Sequence, residues 1–323
     1  MAGRDSFQPY PETRFASMDR TRGASAQPTA RQNHLLAALP LEDYARLLPY
    51  LEPVSLPLGW TVHRAGNRER HLYFLTAGIV SRFCVMENGA SAHFALTGSE
   101  GAIGVASFLG GESMPSHAVV LSAGYAYRLG ADLLTSEFEH DDLLSHLLLR
   151  YTQALITQMV QTAACNRYHS VEQQLCRWIL ASLDRVPSNG LAMSQELIAN
   201  MLGVRRESVT DAAGRLQKTG LIYYSRGHIA VLDRPRLEAQ ACECYAVVKR
   251  EYERLLPQEN TIGNADVHAM ELHNACSISR RQSHWPSVAS MARVPESIGT
   301  STTSARERIT ASDALAGAGA AVA

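Results

Sequence analysis

From Asp141 to Asn166 the chain runs without a single glycine or proline. Within that stretch Leu144, Leu148, Tyr151 and Leu155 recur at steps of four, three and four, with Leu143, Leu147, Ile156 and Met159 broadening the stripe. A helix of this length spans on the order of 40 Å, which is long for one inside a compact domain. An a/d-like seam on such a helix is a candidate dimer spine. The spacing therefore predicts Leu144, Leu148, Tyr151, Leu155 and Met159 as dimer-interface residues, because the stripe is wider than one small barrel needs. Packing of the helix only on its own chain is the alternative.

Upstream the period changes from 3.6 to 2. After two short helical segments, His34 to Pro40 and Leu41 to Leu51, glycines punctuate apolar runs at Gly59, Gly66, Gly78, Gly89, Gly101 and Gly104. Tyr73 to Leu75, Ile79 to Met86, Ser91 to Thr97 and Ala118 to Leu129 have strand length and strand composition. Asn88-Gly89 between two of them fits a type I′ hairpin turn, which needs positive φ at both central residues. Many short strands with glycine turns predict a small antiparallel barrel or jelly roll, and an α+β chain overall.

The 323 residues are 46% apolar and 19% charged, with a formal net charge of -1. That length suggests two or three domains. No apolar run reaches the ~18–20 residues a spanning helix requires, and Met1 to Ala30 carries arginines but no apolar h-region. A cytoplasmic protein without membrane contact is the expectation. The six cysteines are scattered, none in a C-x2-C pair, and Cys242-x-Cys244 on a helix would point two ways. Structural thiols in a reducing compartment, with no metal site and no cofactor, are the reading.

The informative segment runs from Ser194 to Leu216. Ser194 suits an N-cap. Ile198 and Leu202 face inward at i, i+4, Ala199 is small where a second helix crosses, and Gly203 sits where the chain must turn sharply. Val204, Val209 and Ala212 bury the inner side of the second helix. Its outer side presents Arg205, Arg206, Ser208, Thr210, Asp211 and Arg215, with Glu207 in the first turn. Arginine reaches guanine O6 and N7 bidentately, and hydroxyls reach base edges or phosphates. Gly220 to Leu232 then reads as a hairpin whose tip carries Arg226 and His228, placed for phosphate contact. Between 193 and 236 seven basic residues face four acidic ones, whereas 31–140 holds ten acids against seven bases. The basic excess lies where DNA would bind. All ten residues, Ser194, Arg205, Arg206, Glu207, Ser208, Thr210, Asp211, Arg215, Arg226 and His228, are candidate DNA-binding residues.

Taken in this order, these parts resemble the cyclic-AMP receptor protein / fumarate–nitrate reductase regulator (Crp/Fnr) family of bacterial transcription factors over about 31–240. The resemblance implies a cyclic-nucleotide-binding-like β-roll sensor domain (31–140), a dimerisation helix (141–168) and a winged helix-turn-helix domain (169–240); a C-terminal helix (241–257) is expected to follow, and composition without apolar period predicts a flexible arm (1–30) and a disordered tail (258–323). It implies a non-enzymatic homodimer on a two-fold symmetric operator. Double-stranded DNA, a second copy and RNA polymerase are the partners that follow.

The chain departs from the family where effectors bind. Cyclic-nucleotide-binding members carry a Gly-Glu followed about ten residues on by Arg-Ser or Arg-Thr; here stand Gly104-Val105 and Pro115-Ser116-His117. The ribose-binding glutamate and the phosphate-pairing arginine are both missing, so cyclic AMP is not expected. The N-terminal cysteine cluster of iron–sulfur members is also missing. Asp211 stands where cyclic-AMP-responsive members have arginine, and Arg205 replaces a capping Ser or Thr. A regulator with an unidentified effector is the first reading. A protein whose β-roll is a dimer or partner scaffold, independent of any effector, is the second. A cupin-like metalloenzyme would need converging histidines that His63, His71 and His93 do not offer by spacing.

Overall fold

The computed structural model describes residues 29–134 and 143–256. The chain enters through Thr29 and Ala30, and Ala30 is fully buried, so the end of the segment read as a flexible arm is packed. The rest of that arm and all of 258–323 lie outside the described residues. Helices α1 (His34–Ala37) and α2 (Leu41–Leu47) follow. Asn33 caps α1 by accepting from Leu35 and Leu36, while its amide donates to the carbonyls of Leu75, Ser99 and Gly101. One buried side chain thus fastens the entry helices to the sheet.

The sheet contains β1 (Glu52–Leu56), β2 (Thr61–His63), β3 (His71–Val85), β4 (Ser91–Thr97), β5 (Ala102–Ile103) and β6 (His117–Gly130). Its order is β1-β6-β3-β4, with β2 on β6 and β5 on β3, all pairings antiparallel. The two runs read separately as Tyr73–Leu75 and Ile79–Met86 are one strand. What divides them is a series of register shifts between Leu75 and Val80 that bends β3 without ending it. The β3–β4 hairpin forms, but not with the expected turn. Only Gly89 has positive φ there; Asn88 does not, and the Met86 carbonyl accepts from Gly89 N–H. That is a type I turn closed by a left-handed glycine. Short helix α3 (Ala106–Leu109) lies between β5 and β6.

Helix α4 (Leu143–Tyr168) carries the glycine- and proline-free stretch. Here the structure corrects the sequence reading. Leu144, Leu148, Tyr151 and Leu155 are buried inside this single chain and Met159 is half-buried, all in the cluster shared with α1, α2 and the sheet. They face the chain's own core because the helix is covered from a second side as well, by α9 (Glu243–Leu255), where Tyr252 packs edge-on to Tyr151 and bonds Gln158. The exposed side of α4 carries Leu149, Ile156 and Val160, at 49%, 54% and 59% exposure.

Tyr151 is the tightest point of this packing. Its hydroxyl donates to the Ala102 carbonyl at 2.9 Å and lies 3.2 Å from the Thr97 hydroxyl. Buried Arg82 completes the group, donating to Thr97 and to the Ala102 carbonyl. A Cβ on Gly101 would stand 2.3 Å from the Tyr151 ring, so the ring lies where only glycine leaves room.

Downstream come α5 (Val171–Leu183), α6 (Gln195–Leu202), α7 (Arg206–Lys218) and α8 (Arg234–Gln240) before α9. A three-stranded sheet accompanies them, β7 (Gly190–Ala192), β9 (His228–Val231) and β8 (Ile222–Ser225) in that order. Ser170 and Gln173 form a reciprocal capping box at the start of α5. The second core, built on Trp178, Ile179, Ile198 and Leu216, also takes in Ile79, Leu96 and Leu121 from the first sheet. Among the described residues no helix is long and apolar enough to cross a membrane.

His93 on β4 is buried, and loss of solvent, helped by the nearby Arg177 and Arg185 guanidinium charges, holds its imidazole down at about 3. Its native pKa lies below its unfolded one, so stability is lost as pH falls through the window from about 6.5 toward 3. Between pH 7 and 5 the loss is roughly 2 kcal/mol. Chemical denaturation at the two pH values is expected to show it, and His93→Phe is expected to flatten that slope.

Candidate nucleic-acid interface

Helix α6 begins at Ser194, whose hydroxyl accepts from the Leu197 N–H at 3.2 Å, as the sequence predicts. It buries Ile198, Ala199, Met201 and Leu202, and ends at Gly203 in the left-handed conformation, φ 67° and ψ 33°. A side chain at 203 would be strained there and would touch Ala92 of β4. Arg205 is the N-cap of α7 and makes no side-chain capping bond. Val209, Ala212, Ala213 and Leu216 bury the inner face of α7.

The outer face presents Arg206, Glu207, Thr210, Asp211 and Arg215, all exposed, with Ser208 half-buried toward the edge. Among the described residues Arg205, Arg206 and Arg226 form no ion pair, so their guanidinium groups face solvent at the start of α7 and at the hairpin tip. Two of the predicted contacts are engaged within the chain. Arg215 bonds Glu172 of α5 at 2.5 Å, and the Thr210 hydroxyl lies 2.8 Å from Gln195 Oε1 and 3.1 Å from the Arg206 carbonyl. Gln195, which sequence reasoning did not single out, thereby links the starts of α6 and α7. A glutamine at N1 of a helix carries no signal that would have found it.

The wing is β8 and β9, joined through Arg226-Gly227. Both have positive φ, 48° and 79°, while Ser225 pairs with His228 across the loop. A two-residue loop with two left-handed residues is a type I′ turn, so that chemistry occurs here instead of at Asn88-Gly89. Gly190 to Ala192 add β7 at the edge of β9. Met193 N–H bonds the Gly227 carbonyl at 2.7 Å and the Tyr224 hydroxyl donates to the Met193 carbonyl at 2.9 Å. The wing tip is thereby fixed to the residue preceding Ser194. Burial pushes the Tyr224 phenol up to about 12, opposed by the Arg206 charge. Start of α6, start of α7 and wing tip thus form one basic, mostly exposed surface.

In the β-roll, the positions where cyclic-nucleotide-binding members carry glutamate and arginine hold no charge. Val105 and Ser116 are buried, and the Ser116 hydroxyl has no hydrogen-bond partner among the described residues. The Ala106 N–H, at the start of α3, is bonded at 2.9 Å by the chain's own Glu69 carboxylate. Glu69 Oε1 lies 3.2 Å from His63 Nε2. Burial raises the Glu69 carboxyl, against the Ala106 hydrogen bond and the Arg82 charge that lower it, and holds the His63 imidazole down to about 4. A separate cavity of about 440 Å³ opens where the roll, α4, α5 and α9 meet, lined in part by Glu100, Asp184, Arg185, Tyr245 and Lys249.

Comparison with known proteins divides the chain at the same places. Residues 173–240 match the model of the Crp-like helix-turn-helix domain, and residues 53–141 match that of the cyclic nucleotide-binding domain. Among solved structures, FixK2 from Bradyrhizobium japonicum is 16% identical with a TM-score of 0.51, covering 59% of this chain and 98% of that one. A Eubacterium rectale protein, described as a transcriptional regulator of the Crp/Fnr family, is 18% identical with a TM-score of 0.51, covering 65% and 98%. At these identities the likeness is one of fold. No curated protein sequence matches the chain.

Because Arg226 occupies a left-handed position, Arg226→Asn is expected to keep the wing folded while removing its charge, since asparagine tolerates positive φ. Unfolding midpoints are expected to match the parent, with weaker DNA binding on every sequence and a salt slope smaller by about 1.

Proposed function

The chain belongs to the Crp/Fnr family of DNA-binding transcriptional regulators, and from that premise we propose that it binds a two-fold symmetric operator as a homodimer, through a β-roll that does not take cyclic AMP. The family is one of regulators, not of enzymes. The observation that carries the dimer is the exposed face of α4. Leu149, Gln153, Ile156, Val160 and Ala163 are exposed at steps of four, three, four and three, a heptad seam separate from the buried stripe on the other side. A second copy of α4 is the partner that fits such a seam. Pairing there would present two recognition helices to successive major-groove faces about 34 Å apart.

In this reading Arg205 and Arg206 at the start of α7 reach base edges, Ser194, Arg226 and His228 hold phosphates, and Ser208 sits at the margin. Glu207 and Asp211 shape the choice of base, since a carboxylate accepts from cytosine and repels guanine acceptors. Arg215, held by Glu172, contributes positive field unless DNA draws it away.

The case against cyclic AMP rests on Glu69. A helix N-terminus is where a phosphate would be received. The α3 amide is already bonded to a carboxylate of the same chain, and an incoming phosphate would meet that carboxylate. The same observation favours the second reading, a roll that works as a scaffold without an effector. A thermal-shift screen separates the two: a ligand present at 100 times its Kd adds about 2.7 kcal/mol, and a scaffold shows no such shift with any compound.

Ile156→Glu is expected to convert the dimer to a monomer by size-exclusion light scattering and to abolish operator binding at concentrations where the parent binds. A dimer that survives the change would place the interface elsewhere. Arg206→Ala is expected to cost about 1–3 kcal/mol at one base position in a binding-site selection experiment, with other positions unchanged. Equal loss on all sequences would remove Arg206 from base reading.

A further inference from the structure

Four side chains that the regulator reading does not use come together where α4 ends. Cys165, His169, Cys242 and Cys244 each offer one donor atom, and all four atoms lie within 4.8 Å of one another. Cys165 Sγ is 3.5 Å from Cys242 Sγ, and Cys244 Sγ is 3.6 Å from His169 Nδ1. A tetrahedral zinc ion, with Zn–S about 2.3 Å and Zn–N about 2.0 Å, sets its ligand atoms about 3.5–3.8 Å apart. The separations present need only small adjustment.

The spacing rule that set Cys242 and Cys244 apart fails for a local reason. Cys242 is the N-cap of α9, with φ -73° and ψ 163°, so its side chain does not follow the helical rotation that would separate it from Cys244. Cys165 and His169 stand one helical turn apart at the other end of the cluster. We propose that these four residues form a Cys3His site for a thiophilic divalent cation of the zinc class, clipping the start of α9 to the end of α4.

Two observations besides the donor set support the assignment. His169 Nε2 lies 3.3 Å from a Glu243 carboxylate oxygen, leaving Nδ1 toward the sulfurs; this is the carboxylate–histidine arrangement that orients a metal-bound imidazole. The His169 carbonyl is held by Gln174 Nε2 at 2.9 Å, fixing the backbone as well. Charge is the second. Three thiolates and a divalent ion leave one net negative charge, which must be balanced when buried. Buried Arg177 lies close enough for its charge to act on Cys165, and its Nε and Nη2 have no hydrogen-bond partner among the described residues. The three sulfurs are buried, while His169 is partly exposed at the rim and gives the ion an entry path.

A Cys165–Cys242 disulfide would use two of the four donors and leave His169, Cys244 and Arg177 without a role, whereas a cation engages all of them. Binding would release thiol protons to solvent. Its location gives it a consequence: His169 is followed directly by the capping box of α5, so the clip fixes the hinge between the long helix and the DNA-binding unit.

The test uses the full chain, reduced and freed of metal, titrated with Co(II) and with Zn(II). One equivalent per chain is expected, with thiolate-to-Co(II) charge-transfer absorption and the visible bands of tetrahedral Co(II), displaced by Zn(II). The double variant Cys242→Ser/Cys244→Ser is expected to lose both signals. His169→Gln, at the rim, is expected to weaken binding while leaving the circular-dichroism spectrum unchanged. Glu243→Gln is expected to weaken it about 10–100-fold, and Cys84→Ser to leave it unaltered. Binding below about a tenth of an equivalent, an octahedral Co(II) spectrum, a signal that survives the double variant, or a Cys165–Cys242 disulfide recovered under the same reducing conditions would each overturn the proposal. No arm of the experiment reads DNA, so its failure leaves the regulator reading standing.

Discussion

The buried hydroxyl of Tyr151 is where three parts of the molecule are held together. Through the Ala102 carbonyl, Thr97 and Arg82 it ties α4 to the β-roll, and through its ring it meets Tyr252 of α9. Arg82 is a buried cation that donates only to neutral oxygens in this network, so each of those acceptors matters to the cost of keeping it there. Gly101 leaves the space that the ring fills. The consequence is directional. One side of α4 is committed to its own chain, and the opposite side is left apolar and exposed.

A second dependence runs from the roll to the recognition unit. Ser81 of β3 contacts Met201 of α6 at 3.5 Å, and the helix-turn-helix glycine lies against Ala92 of β4. Since Ile79, Leu96 and Leu121 share a core with Trp178, Ile198 and Leu202, the β-roll sheet and the helix-turn-helix form one packed body in this conformation. A displacement of β4 would therefore bear on α6 directly, without passing along the length of α4.

How legible this was depended on how local the cause was. The helix-turn-helix could be read because its N-cap serine, left-handed glycine and inward apolar residues each act within a few positions. Strands β3, β4 and β6 of the roll were legible for the same reason, while the shorter β1, β2 and β5 were not. Failures came where a distant element decided. The Leu144–Leu155 stripe looked like a dimer seam because periodicity reports which face is apolar, not what covers it. Asn88-Gly89 looked like the type I′ turn, and Arg226-Gly227 did not, because the ladder on either side selects the turn and overrides residue preference. Cys242 and Cys244 looked divergent because the rule assumed a helix that already includes Cys242, whereas the helix begins one residue later.

By itself the sequence determined the order of parts and the position of the helix-turn-helix. Helical and strand periods, caps and turn glycines are short-range effects written residue by residue. Tertiary structure alone decided which side of α4 remains free, that Glu69 occupies the α3 amide, and that thiols 77 positions apart meet at 3.5 Å. The first and last of those outcomes follow from how α9 and the roll cover the same long helix, and the second from how the roll folds on itself. Both are settled by packing between segments remote in the chain, where no local pattern carries the information.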